Sequence, residues 1–292
     1  MLRCQRFCRP SLRMFAGPVA CLMCMALMGA GGGSITKLTL NPDAPVVELF
    51  DGIDQGQFEV RLSATNAHEG KIFVTNKTDK PLTVAVPKAV IGVHVLPQFN
   101  PQIGFGQGNN PFGNQNGAGN QNGVNNLAQT IGGNVGPAGA NNGGFPQAGI
   151  GMQNQFPGAN FFSVPPEKTV QVKLNSVCLN YGRPEPNAAL KYKLVKVDSY
   201  TTDPVLQQLL EDSSPRTNRE AQQAAAWHLA NGLSWEEIAR LTEQRLPGVP
   251  VPRFTQYQVG AAKELVQQAE KSAAERTTKK EAAGAVTASL RK

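Results

Sequence analysis

Beyond residue 24 the sequence holds one cysteine, Cys178; the other four, Cys4, Cys8, Cys21 and Cys24, crowd its beginning. A lone thiol makes no intramolecular disulfide, and no Cys pair is present for a structural zinc. Histidine is equally scarce: His68, His94 and His228 lie far apart, and none belongs to a His-Glu-x-x-His pattern. No metal site and no cofactor are therefore expected. A serine nucleophile elbow, a Walker loop and a dinucleotide fingerprint are also missing, and the Gly-rich segment lacks the Lys-Ser/Thr that meets phosphate and Mg²⁺. Familiar enzymatic chemistry is not expected. Nor is there an apolar run of the about 20 residues that a good transmembrane span needs.

What the N-terminus does have is Arg3, Arg6, Arg9 and Arg13, an apolar run from Met14 to Met28, and small residues at Gly29-Ala30-Gly31. That order is a basic region, a hydrophobic core and a cleavage site, so residues 1–30 read as a secretory signal peptide, with an uncleaved anchor as the alternative. Those four arginines belong to a formal net charge of +7, and the rest of the chain carries about +3. A balance that modest argues for no particular partner.

Short β-branched or alternating runs follow: Thr36 to Leu40, Val46 to Phe50, Gln57 to Leu62, Lys71 to Thr75, Leu82 to Val86 and Ile91 to Leu96. Turn-forming Asn, Asp, Gly and Pro separate them. The stretch KIFVTNKTDKPLTVAVPKAV resembles one hairpin of bacterial immunoglobulin-like modules, and FFSVPPEKTVQVKL resembles the strand, Pro turn and strand that complete it. Between them, Gln98 to Asn160 holds sixteen of the thirty glycines, many Asn and Gln, and no charged residue. Such a segment gains too little on burial to offset its ordering entropy, so residues 98–160 are expected to be a disordered insertion. Phe99, Phe105, Phe112, Phe145 and Phe156 are spaced along it, which gives it a route to self-association.

After Tyr192 to Val197 the pattern becomes helical. Asp203-Pro204 opens one short helix, and Thr217 with Glu220 makes a capping box for an Ala-rich helix that needs neighbours on several sides. Asn231-Gly232 stops it, Ser234 with Glu237 restarts a helix, and Thr255 with Gln258 caps a last one. Residues 246–252 read as an extended connector, and the Lys-, Ala- and Thr-rich end from Lys271 as a frayed tail. The expectation is an α+β protein: a signal peptide (1–30), an immunoglobulin-like β-sandwich in two halves (34–97 and 161–200), the disordered insertion (98–160), a small helical domain (201–272) and a flexible tail (273–292).

Cys178 reads most simply as a small buried thiol packed as a hydrophobe. Gln223 and Trp227 lie one turn apart on one helix face, as a satisfied polar residue beside a core Trp would. The sequence Gln223-Ala224-Ala225-Ala226-Trp227 also resembles the Gln-x-Ala-x-Trp core of bacterial surface thioester domains. That resemblance implies that the Cys178 thiol condenses with the Gln223 carboxamide and releases ammonia, with Trp227 and His228 in support, leaving an acyl group that a surface amine attacks. Residues 228–241 followed by 254–265 resemble a helix-turn-helix regulator, but residues 242–253 exceed the turn of that motif and export removes the chain from DNA, so no nucleic acid partner is expected. Taken whole, Asn76 to Asp79, Cys178 to Pro186 (CLxxGRxxP) and the QxAAWHLxxGLSW stretch from Gln223 resemble a group of exported bacterial proteins with no assigned activity. The resulting expectation is an exported, non-enzymatic binding or envelope-structural protein, periplasmic, secreted or at the cell surface. Its partner would be a protein or envelope component, and a membrane only if the signal segment stays uncleaved. The alternative is a covalent adhesin with a Cys178–Gln223 thioester.

Overall fold

The computed structural model describes residues 33–95, 128–135, 152, 155, 159–213, 216–246 and 248–289. The chain is α+β, as expected, but its β part is a closed barrel where an immunoglobulin-like sandwich was expected. The strands are β1 (Val46–Glu48), β2 (Phe58–Ala64), β3 (Glu69–Asn76), β4 (Leu82–Val86), β5 (Ala89–His94), β6 (Ile131–Val135), β7 (Asn160–Val164), β8 (Thr169–Cys178) and β9 (Tyr192–Val195). The barrel order is β2-β3-β8-β6-β5-β9, closed by the Leu62–Tyr192 pairing. A separate sheet, β1-β4-β7, has β1 parallel and β7 antiparallel to β4. Period-2 alternation places Leu62, Ile72, Val74, Val170, Val172 and Leu174 in one core with Leu82, Val84, Phe162 and Val164 of that sheet.

One expected strand is absent and another is shortened. Of the 36–40 run, no residue joins a ladder; the preceding Ile35 bridges Val170. The 46–50 run stops at Glu48 because its carboxylate accepts from the Phe50 and Asp51 amides (2.9 and 3.0 Å) and so caps α1 (Leu49–Asp54). The Asn-Lys-Thr-Asp turn is organised by Asn76, which is fully buried. Its Nδ2 donates to the Lys80 and Val164 carbonyls (2.7 and 3.0 Å), and its Oδ1 accepts from the Thr78 amide (2.9 Å), tying the β3–β4 turn to β7.

The larger correction concerns the insertion. Residues 131–135, inside the stretch expected to be structureless, form β6, which lies between β5 and β8 and gives Ile131 and Val135, both fully buried, to the barrel core. Gly133 allows this close fit: a Cβ there would lie 1.9 Å from the Asn175 carbonyl oxygen. The Ala128 amide donates to His94 Nδ1 (3.0 Å), and Asn160 Nδ2 donates to the Val135 carbonyl (2.8 Å). The low-complexity tract is thus two excursions, one on each side of β6, whose ends are already held together. The expected disorder of residues 98–127 and 136–158 lies outside the described residues, apart from Met152 and Gln155, each of which has a helical backbone.

The helices are α2 (Val197–Tyr200), α3 (Pro204–Glu211), α4 (Arg219–Asn231), α5 (Trp235–Arg240) and α6 (Gln256–Ser289). Asn218, not Thr217, is the N-cap of α4: its Oδ1 accepts from the Glu220 and Ala221 amides (3.0 and 3.1 Å). The boxes at Ser234/Glu237 and Thr255/Gln258 form as expected. Every residue from Ala221 to Trp227 is buried, because the alanines let α4 approach the barrel on one side and α6 on the other. Ala89, Ile91, Val177 and Leu179 of the barrel share that core, so the helices are a layer on the barrel rather than a domain with a core of its own. Residues 246–252, expected to be an extended connector, instead belong to a hairpin, β10 (Thr242–Leu246) with β11 (Val249–Pro252). The stretch from residue 273, expected to be a flexible tail, continues α6 as helical backbone to Ser289, with Ala273 buried and Arg276 paired with Glu211.

Candidate functional site

The sequence pointed to Cys178, Gln223, Trp227 and His228, and the structure brings the first two together. On one edge of β8, β3 ends opposite Asn175, and the Ser176 amide reaches past it to the His68 carbonyl (2.9 Å). Beyond that point no strand is left to satisfy Cys178 on this edge. The Gln223 side chain takes the place of one: the Cys178 amide donates to Gln223 Oε1 and Gln223 Nε2 donates to the Cys178 carbonyl, both at 2.8 Å. A carboxamide has the same donor and acceptor as a peptide group, so a helix residue continues the ladder. Gln223 is 1% exposed, and without it Cys178 would leave two buried backbone groups unpaired.

The pairing is with the backbone of Cys178, not with its thiol. Val177 and Leu179 pack among the helices, while Cys178, between them, packs in the barrel core, 1% exposed. Burial, with a smaller push from Glu185 and against a pull from Arg253, raises the thiol pKa to about 12. The thiolate, which is the nucleophile, is thus suppressed at neutral pH. In the folded protein, Cys178 is expected to resist alkylation at about pH 8 and to react only after unfolding, which an intact-mass time course with and without denaturant reads directly.

Trp227 lies one turn beyond Gln223, with its ring edge-on to Tyr181 (centroids 4.9 Å apart) and to Phe254 (5.8 Å). It anchors the loop after Cys178, whose Tyr181 amide also donates to Asn231 Oδ1 (3.1 Å). His228 belongs to a different contact. The Leu233 carbonyl 2.7 Å from its Nδ1 can only accept, so that nitrogen carries the proton, and the ring stacks on Trp235 at 4.0 Å. Gly232, at φ 68°, makes the turn that His228 braces.

Two groupings were not visible in the sequence. His68, in the β2–β3 turn, lies 3.4 Å from Glu220 in the first turn of α4. Arg253, after β11, meets Glu220 at 2.6 Å and Glu243 at 3.3 Å, with its side chain 14% exposed. Burial opposes ionisation of Glu220, but His68 and Arg253 together hold its pKa below the usual value. Such a carboxylate stabilises the fold above its unfolded pKa, and the contribution is lost as pH falls through the lower folded value. Arg253→Met is accordingly expected to cost about 2–3 kcal/mol at neutral pH and much less at about pH 3, measured by urea unfolding. The second grouping is at the β5–β6 end of the barrel. Tyr192 donates to the Gln129 carbonyl (3.3 Å) beside His94, whose pKa burial lowers, so its unprotonated Nδ1 keeps accepting from Ala128.

Among the described residues, no group of three or more His, Cys, Asp or Glu side chains is placed to hold a metal ion, and no helix is long and apolar enough to cross a membrane. A cavity of about 90 Å³ between α3, α4 and α6 has Asp212, Ser213 and Gln222 in its wall and is well below the size of an ordinary ligand pocket. No protein-family model, no curated protein and no solved structure matches the chain.

Proposed function

We propose that the chain is an exported, non-enzymatic protein that binds or scaffolds a component of the cell envelope. The observation that carries this reading is the role of Gln223: the residue best suited to unusual chemistry spends both ends of its carboxamide on closing a sheet edge. A barrel that shares a core with a helical layer offers broad surfaces for presentation. The basic, apolar and small-residue order of residues 1–30 supports export, as does the resemblance to exported bacterial proteins. The immunoglobulin-like reading of the β part draws support from β1-β4-β7, which shares one core with β2, β3 and β8. On that reading, β5, β6 and β9 are the strands that close the barrel.

Cell fractionation with intact-mass measurement tests the proposal. A mass shortened at about residue 30, in a periplasmic, surface or culture fraction, is the expected result, and an unprocessed cytoplasmic chain would refute export. The covalent-adhesin reading has one observation in its favour, the contact between Gln223 and Cys178. It requires a mass lighter by one ammonia, restored with an added amine on methylamine treatment and absent in Cys178→Ala. The inward-facing thiol leads us to expect the full, unmodified mass.

A further inference from the structure

The helices cover the outward residues of β5, of the end of β8 and of Val195 in β9, but the outward positions of β2, β3 and the start of β8 remain in solvent. Those positions carry Arg61, Lys71 and Lys173 together with Glu59 and Glu69, each of these acids already paired with a further cation. The register sets Lys71 directly opposite Lys173, and Arg61 opposite Phe73, which in turn faces Gln171. The Leu62–Tyr192 pairing brings in Lys191, just before β9, and Lys193, within it, on either side of that pair. Arg61, Lys71, Lys173, Lys191 and Lys193 are all exposed.

Like charges directly opposite in a ladder destabilise it. Among the described residues no carboxylate pairs with Lys71, Lys173 or Lys191. The acids on the face are already engaged, Glu59 with Lys77 (2.9 Å) and Glu69 with Arg219 (2.5 Å).

We propose that this face docks on an anionic phospholipid surface. A sheet face is broad, and its one aromatic, Phe73, is covered by the Arg61 guanidinium at 4.2 Å. It therefore offers neither the groove nor the open stacking platform that a single-stranded nucleic acid uses, whereas an array of cations across neighbouring strands, about 4.8 Å apart, fits a plane of headgroup charges.

The inference deepens the envelope-module reading and rests on it only for where the protein meets such a surface. Its test is binding of the processed chain, without residues 1–30, to phosphatidylcholine vesicles with and without about one third phosphatidylglycerol, so that the ratio isolates the charge effect. The expected result is a clear preference for the anionic vesicles that fades at high salt. It should fall by about tenfold to a hundredfold in Lys71→Gln/Lys173→Gln/Lys191→Gln. The equally discharged Lys80→Gln/Lys271→Gln/Lys279→Gln should retain most of it. On the wild-type chain, anionic vesicles should slow amine acylation at Lys71, Lys173 and Lys191 but not at Lys271, a readout that needs no variant. Absence of the preference, an equal loss in both triple variants, no footprint, or tighter binding to a soluble acidic polysaccharide than to the vesicles would each overturn the proposal. A cytoplasmic location would instead refute export and leave the vesicle result standing.

Discussion

Gln223→Leu is expected to lower the free energy of unfolding by about 3–5 kcal/mol, a large part of the stability of an ordinary domain. Leucine matches glutamine in bulk, so little of the effect comes from a cavity. It comes from the Cys178 amide and carbonyl, which lose their only partners on that edge of β8 while still covered by α4. Gln223→Glu separates hydrogen bonding from packing. A protonated carboxyl both donates and accepts, and so reproduces both bonds; a carboxylate cannot donate to the Cys178 carbonyl and is buried as a charge. Burial raises that carboxyl above its unfolded pKa of about 4.3. The stability it restores is therefore present below that value and is lost as pH rises through the folded pKa. Urea midpoints should show Gln223→Glu near wild type at about pH 4 and close to Gln223→Leu at about pH 8. Equal destabilisation at both values would mean that the carboxamide is a space filler and not a peptide surrogate.

Much of this fold was legible because local chemistry and tertiary contacts agree. Leu82 to Val86 reads as a strand and is one, and Ser234 with Glu237 reads as a capping box and forms one. The sequence was misleading where a long-range partner decides. Ile131 to Val135, with two glycines and an asparagine, has poor strand propensity, yet it is held between β5 and β8, where Gly133 is needed because Asn175 leaves no room for a Cβ. Closure into a barrel was hidden for the same reason, since it depends on Tyr192 meeting Leu62 across more than a hundred residues.

The candidate site was legible in its members and not in its geometry. Periodicity placed Gln223 on a buried helix face and Cys178 at a strand end, but which side of a strand a residue faces depends on its register, and one residue of shift exchanges inside and outside. That parity puts the thiol in the barrel core while its backbone meets Gln223. His68, Glu220 and Arg253 had no signal at all, because a turn, a helix start and the exit of a hairpin come together only in the folded chain.

The low-complexity tract yields the sharpest contrast between what the sequence and the structure imply for an experiment. Read as one loose insertion, residues 98–160 should be removable as a block. With β6 inside it, that deletion is expected to leave no cooperative thermal transition: β5 and β8 lose the strand between them, and Ile131 and Val135 leave the core. Two smaller deletions should behave oppositely. Removing residues 98–125 leaves four residues to join Val95 to Ala128, whose amide is already held by His94. Removing 138–157 leaves four between Val135 and Asn160, which are in contact through Asn160 Nδ2. Because the ends of each part are adjacent and closure entropy grows only with the logarithm of loop length, the 98–125 deletion should change the unfolding free energy by no more than about 1–2 kcal/mol, and the 138–157 deletion, alone or combined with it, by somewhat more, because it removes Met152 from its packing against Ala85 and Phe161. Gly133→Ala, with the tract intact, should cost more than either, because its Cβ would overlap the Asn175 carbonyl. Calorimetry on the five variants ranks them, and a cooperative transition for the block deletion would show that the barrel closes without β6.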